Sequence, residues 1–193
     1  VVRKGAQDER ISADHVWSTL PLTVVANMMN PRPTEAIVAA AERIAYRAMV
    51  LVYVQLDTTR FDATDAHYFP EENVTMTRLS EPKNYYGDRE PTGRTVLCAE
   101  IPCTVGDHLW EATDAELGRR VIEDMERSGL QVPRDPLHVC TRRLPQAYPI
   151  YLKGFEEPLR EIDQFLSQLQ GFLTYGRQGL FAHDNTHHAL AMA

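Results

Sequence analysis

Residues 48–56 alternate in a way that sets the first structural expectation. Val50, Val52, Val54 and Leu56 fall on one side of an extended chain, and Met49, Leu51, Tyr53 and Gln55 on the other. A two-residue period is that of a strand, and apolar residues on both sides predict that both faces are covered. Shorter apolar runs predict further strands near 14–19, 74–79, 94–101, 137–144 and 172–175. Where the period lengthens, helices are predicted. Thr34 reads as an N-cap for a helix through about Tyr46, with Ile37, Ala40, Ala41 and Ile44 on one face. Thr113-Asp-Ala-Glu116 is a capping box opening a helix near 114–128 on Leu117, Val121, Ile122 and Met125, stopped by Gly129. Pro158 sits in the first turn of a helix near 157–169, whose stripe is Leu159, Ile162, Phe165, Leu166 and Leu169. A last helix starts near Asp184. Pro31 and Pro33, Tyr86-Gly87-Asp88 and Glu90-Pro91-Thr92-Gly93 mark turns.

Strands joined by turns, with helices at intervals, predict an α+β fold: a mostly antiparallel sheet with packed helices over about 22–171. The two end strands do not fit that sheet. They read as stubs of a second, α/β domain, at 1–21 and 172–193. The chain opens in mid-pattern at Val1-Val2-Arg3 and stops inside an apparent helix at Ala189-Leu-Ala-Met-Ala193, so it is expected to be a fragment of a longer protein.

Composition narrows the function classes. Hydrophobic residues make up 44% and charged residues 24%, an ordinary globular balance. The net charge is −7, and no Lys/Arg block exceeds a pair, which excludes nucleic acid as an expected partner. The apolar run Met49–Val54 falls far short of the roughly 20 residues that span a bilayer. Cys98, Cys103 and Cys140 form no Cys-x-x-Cys pair and read as free thiols of a reducing, cytoplasmic compartment.

Two segments carry candidate chemistry. Leu173-Thr-Tyr-Gly176-Arg177-Gln-Gly179 through Asn185-Thr186-His187-His188 reads as strand, glycine loop and helix start, a place where backbone N–H groups can meet a phosphate or an electron-rich ring. A plain helix cap by Asp184 or Asn185 is the bland alternative. A metal site on His183, Asp184 and His187 is a rival, weakened because His183 is expected to precede the helix. The other segment pairs Thr77-Arg78 with Glu100. Glu100 shares a strand face with Val96 and Cys98, so it is half-buried and needs a partner, which Arg78 can supply, either structurally or at a site. Arg142-Arg143 could hold an anion, or merely line a solvated strand edge. No Gly-x-Gly-x-x-Gly, Gly-x-Ser-x-Gly or P-loop occurs, and no residue is singled out as catalytic.

In order along the chain, these segments resemble a family of FAD-dependent oxidoreductases that includes monoamine oxidase, protoporphyrinogen oxidase and UDP-galactopyranose mutase. Asp14-His-Val-Trp-Ser-Thr19-Leu-Pro21 is similar to the strand that leaves the family's FAD domain for its substrate domain. Thr77-Arg78-Leu-Ser-Glu81-Pro-Lys83-Asn and Glu100-Ile-Pro102 resemble segments of its mutase-like branch. Pro145-Gln-Ala-Tyr148-Pro-Ile-Tyr151 resembles the strand returning toward the flavin, and Gly176-Arg177 through His188 the closing FAD motif. The resemblance implies FAD as cofactor and a small-molecule substrate. It implies Thr19, Pro21, Gly176, Arg177, Gly179, Asn185, Thr186 and His187 as cofactor-binding residues, and Arg78, Tyr148 and Tyr151 as substrate-binding residues. It also implies that the glycine motif for the FAD pyrophosphate precedes this chain. Hydride removal by FAD is the leading reading. Gly176-Arg177 leans toward a mutase-like sugar isomerase, but Phe181 and His183 stand where the mutase carries tyrosines. A non-enzymatic α+β interaction module is the third alternative.

Overall fold

The computed structural model describes residues 2–4, 7–86, 91–132 and 135–192. The elements in chain order are β1 (Val2–Lys4), β2 (Gln7–Glu9), β3 (Val16–Ser18), α1 (Leu22–Met28), α2 (Glu35–Arg43), β4 (Ala45–Leu56), β5 (Ala66–Tyr68), β6 (Arg78–Ser80) and a 3₁₀ turn (Pro82–Tyr86). Then come β7 (Thr95–Cys103), α3 (His108–Glu111), α4 (Asp114–Arg127), β8 (His138–Ile150), α5 (Glu156–Ser167), β9 (Phe172–Thr174), α6 (Gly176–Gly179) and α7 (Thr186–Met192). The chain divides into two units, one of residues 1–45 with 149–193, the other of residues 46–148.

The 46–148 unit is built on a five-stranded sheet of order β5-β6-β7-β4-β8. The ladders β5–β6, β6–β7 and β7–β4 are antiparallel, as expected. In β4 and β7 the alternation works as read. Val50 faces Ile101, Val52 faces Ala99 and Val54 faces Leu97 across the ladder, all fully or almost fully buried. Leu117, Val121 and Met125 of α4 close over this face. Gly118 lets the helix come close, since a Cβ there would lie 2.9 Å from the Val139 side chain. Burying each valine fully contributes about 1.5–3 kcal/mol. The capping box is formed: Thr113 Oγ1 accepts from Glu116 N and Glu116 Oε2 accepts from Thr113 N. At the other end Gly129, at φ +80, closes the helix with the Leu130 N–H on the Met125 carbonyl, 2.8 Å.

Several expectations are corrected. The helix from Thr34 ends at Arg43, because Ala45 already starts the long strand β4, and the Thr34 side chain makes no cap hydrogen bond. The strand expected at 74–79 shrinks to Arg78–Ser80: Thr75 N donates to the buried Asp124 carboxylate (2.7 Å), which holds the chain out of the ladder. β8 runs on from the expected end near 144 to Ile150, through Pro145 and Pro149. The second face of β4 is only partly covered, with Met49 buried and Leu51, Tyr53 and Gln55 half-buried. Residues 87–90, which belong to the turns expected around Gly87 and Pro91, lie outside the described residues.

In the other unit, β1 and β2 pair antiparallel, and β3 and β9 pair in parallel with Val16 facing Phe172, Trp17 facing Leu173 and Ser18 facing Thr174. α5 was expected on the antiparallel sheet; its partners are α1, α2 and β9. The contact closes because the facing residues are small or well matched: Ala40 and Ala41 of α2, Leu22, Val25 and Ala26 of α1, and Ile162 and Leu166 of α5 are all buried. No helix among the described residues is long and apolar enough to cross a membrane.

Candidate functional site

The terminal segments meet at the carboxyl ends of the parallel pair. Tyr175 N donates to the Ser18 carbonyl, 3.1 Å, and the chain then turns at Gly176, whose φ of +74 suits glycine. Gly176 is buried, and a Cβ on it would make ordinary contact with the Thr19 methyl, 3.8 Å away. Gly179 is close-packed instead, with the Ser18 carbonyl oxygen 3.1 Å from where its Cβ would stand. Pro21 follows as the cap residue of α1. Thr19, Gly176 and Gly179 are thus brought together, at the strand ends where α/β sheets receive ligands. The expected glycine loop is a helical turn, α6, in which the Arg177 carbonyl accepts from Ala182 N, 2.9 Å. The last helix begins at Thr186 rather than at Asp184; the Asn185 carbonyl accepts from Ala189 N, and the Asp184 carboxylate lies 3.3 Å from His188 Nδ1. Asn185, Thr186 and His187 are exposed. Among the described residues no group of three or more His, Cys, Asp or Glu could hold a metal ion.

Tyr151 is tied to this same segment. Its hydroxyl donates to the Phe181 carbonyl (3.2 Å) and accepts from His183 N (2.9 Å). Its ring packs with Phe155 and Phe181, centroids 4.8 and 5.6 Å away. Phe181 is 2% exposed and holds φ +51, left-handed backbone that a phenylalanine seldom adopts.

In the 46–148 unit, Arg78 faces Glu100 across the β6–β7 ladder, and its Nε and Nη2 both donate to Glu100 Oε1, the Nε bond at 3.0 Å. The Glu100 side chain is 12% exposed and that of Arg78 36%, so this is the half-buried pair expected from the strand pattern. Tyr68 stands in register on the far side of Arg78. Tyr53 and Cys98 face one another across β4 and β7 on the same side of the sheet. Burial, then the charge of Glu100, pushes the Cys98 thiol up to about 11. Arg142 is exposed, whereas Arg143 is committed to structure through the carbonyls of Trp110 and Ala112. Tyr148, at intermediate exposure on β8, is separated from Arg78 across the sheet by β7 and β4.

The residues around Arg78 that resemble a family motif form a knot. Glu81 is 2% exposed, and its carboxylate accepts from Phe61 N (3.0 Å), Asp62 N (3.3 Å), Asn84 Nδ2 (3.3 Å) and Thr95 Oγ1 (2.5 Å). Lys83 Nζ donates to the carbonyls of Thr59, Pro91 and Arg94 at 2.7–3.0 Å. Beside the knot, His67 Nε2 and Asp62 Oδ2 lie 2.7 Å apart, a pair to which no sequence pattern pointed.

A parallel pair with a glycine turn at its carboxyl ends, and an antiparallel sheet carrying a half-buried ion pair, make an α+β architecture. The chain belongs to the family of flavin containing amine oxidoreductases, whose model matches residues 1–189. Its fold is similar to that of reduced UDP-galactopyranose mutase, with 21% identity and a TM-score of 0.68 over 88% of this chain. It is also similar to a protein of Exiguobacterium sp. 255-15 assigned as a protoporphyrinogen oxidase, with 20% identity and a TM-score of 0.59 over 86% of this chain. The chain spans 36% of the length of each. No curated protein matches it.

Proposed function

We propose that this chain is the substrate domain, with two pieces of the cofactor domain at 1–21 and 172–193, of an FAD-dependent oxidoreductase that removes a hydride from a small molecule. The observation that carries this reading is the convergence of Thr19 and Gly176 at the carboxyl ends of β3 and β9, in a chain of a flavin-dependent family. The exposed Thr19, beside the glycine turn, would meet the edge of a flat ring. Thr19, Pro21, Gly176, Arg177 and Gly179 would hold that edge, with Asn185, Thr186 and His187 beyond them. Bound flavin supplies the hydride acceptor. The chain's own residues bind and orient. Arg78, fixed by Glu100, and Tyr148 would hold opposite ends of the substrate. Tyr151, its hydroxyl engaged by backbone, can offer only its ring. The three free thiols support a reducing, cytoplasmic setting.

The pyrophosphate of FAD would be held by residues outside this sequence, which contains no Gly-x-Gly-x-x-Gly. A few hydrogen bonds at about 1 kcal/mol each do not offset an association cost of at least about 4 kcal/mol. The 193-residue chain alone is therefore expected to purify colourless, and the complete gene product yellow. Flavin absorbance that survives dialysis of the short chain, or a colourless complete protein, would overturn the reading. Arg177→Ala in the complete protein should lower flavin content while leaving the melting temperature of the short chain nearly unchanged.

A flavin-dependent sugar isomerase is the second reading, favoured by Gly176-Arg177. The burial of Phe181 against Tyr151 speaks for the oxidoreductase, because that position offers no hydroxyl to a sugar diphosphate. Net consumption of an electron acceptor during turnover separates the two.

A further inference from the structure

We propose that the Tyr151 hydroxyl is a positioning group: it locks the 180–183 backbone in a strained form and so sets the direction in which the closing segment meets the flavin. The inference rests on the flavin reading above and adds a residue role to it. One hydroxyl serves as donor to the Phe181 carbonyl and acceptor from His183 N, at 3.2 and 2.9 Å. These two groups flank Ala182, so a single atom closes the turn from both sides. Phe181 packs against the Tyr151 and Phe155 rings at φ +51, a conformation that persists only where its surroundings over-determine it. On the other side of the turn, Leu180 N donates to the Gly176 carbonyl and Ala182 N to the Arg177 carbonyl. The stitch therefore reaches Gly176 and Arg177, the proposed flavin edge, through two further hydrogen bonds. A tyrosine whose hydroxyl is spent twice on backbone acts through that backbone.

Tyr151→Phe removes both hydrogen bonds and keeps the ring in its aromatic cluster. In the complete gene product we expect FAD to bind about tenfold more weakly, the scale of one or two hydrogen bonds. The circular dichroism of the flavin bands should change as well, which a loss of stability elsewhere would not produce. In the 193-residue chain, amide exchange at His183 should quicken by about tenfold. If wild-type protein binds FAD and the variant matches it in affinity and flavin dichroism, the positioning role is wrong and the flavin reading stands. Unchanged exchange at His183 would also overturn the positioning role. If wild-type complete protein binds no FAD, the flavin reading itself fails and takes this inference with it.

Discussion

Replacing Glu81 should unfold more than its place in a loop would imply. The carboxylate is 2% exposed and receives the Phe61 and Asp62 amides, the Asn84 side-chain amide and the Thr95 hydroxyl. Glu81→Ala strands three donors, the Phe61 and Asp62 amides and the Thr95 hydroxyl, while the Asn84 amide keeps the Asp62 and Thr64 carbonyls. Such bonds contribute about 1.5–3 kcal/mol each, and water entering the space recovers part of the loss. The expected destabilisation is about 4 kcal/mol, a large share of the roughly 5–15 kcal/mol typical of a domain. Glu81→Gln keeps one acceptor oxygen but turns an NH₂ group toward donors, and should lose about 2 kcal/mol. Guanidinium unfolding followed by circular dichroism measures both. A cycle with Thr95→Val should be sub-additive, because both variants remove the same 2.5 Å bond. If both Glu81 variants lie within about 1 kcal/mol of wild type, the carboxylate is not the centre of the knot.

Gly171, at φ +71, turns the chain into β9, and a Cβ there would collide with the Asp14 carbonyl oxygen. Gly171→Ala should lose about 3 kcal/mol, whereas Gly93→Ala, at the same φ with open space around it, should lose about 1 kcal/mol, read as shifts in melting temperature. A double-mutant cycle on Arg78→Met and Glu100→Gln should give a coupling of about 1–2 kcal/mol, below the range of fully buried pairs because the Arg78 side chain is 36% exposed. The Cys98 thiol is raised from 9.0 to about 11, so folding favours its neutral form. That stability is whole below about pH 9 and is lost as pH rises through about 11; Cys98→Ala should flatten the fall in urea midpoint over this window.

What the sequence made legible was whatever local chemistry decides. The alternation of Val50, Val52 and Val54 and the Thr113–Glu116 box each dictate their structure without outside help. α1 is not legible in the sequence, because Thr23, Val24 and Val25 are β-branched and carry no helical signal; Pro21 and the packing of Leu22 and Val25 decide the matter. The end of α2 is not legible either, because nothing local marks Ile44 as the switch from helix to strand. At the site, the Arg78–Glu100 pair could be read from one strand face. The tasks of Glu81 and of the Tyr151 hydroxyl could not, since Thr95, Phe61, Phe181 and His183 lie 14–32 residues from them in sequence.

Lys83 directs its ammonium at three carbonyl oxygens, from Thr59, Pro91 and Arg94. These acceptors are dipoles rather than charges, so the interaction draws little on long-range attraction and should survive salt that would screen an ion pair. The ammonium takes the part that a hydrated metal cation plays in other loops: it gathers oxygens from separate stretches of chain and fixes them at one point. Chelators cannot extract it. Acylation of this one nitrogen can, and would release both stretches at once by removing the donors and the charge together.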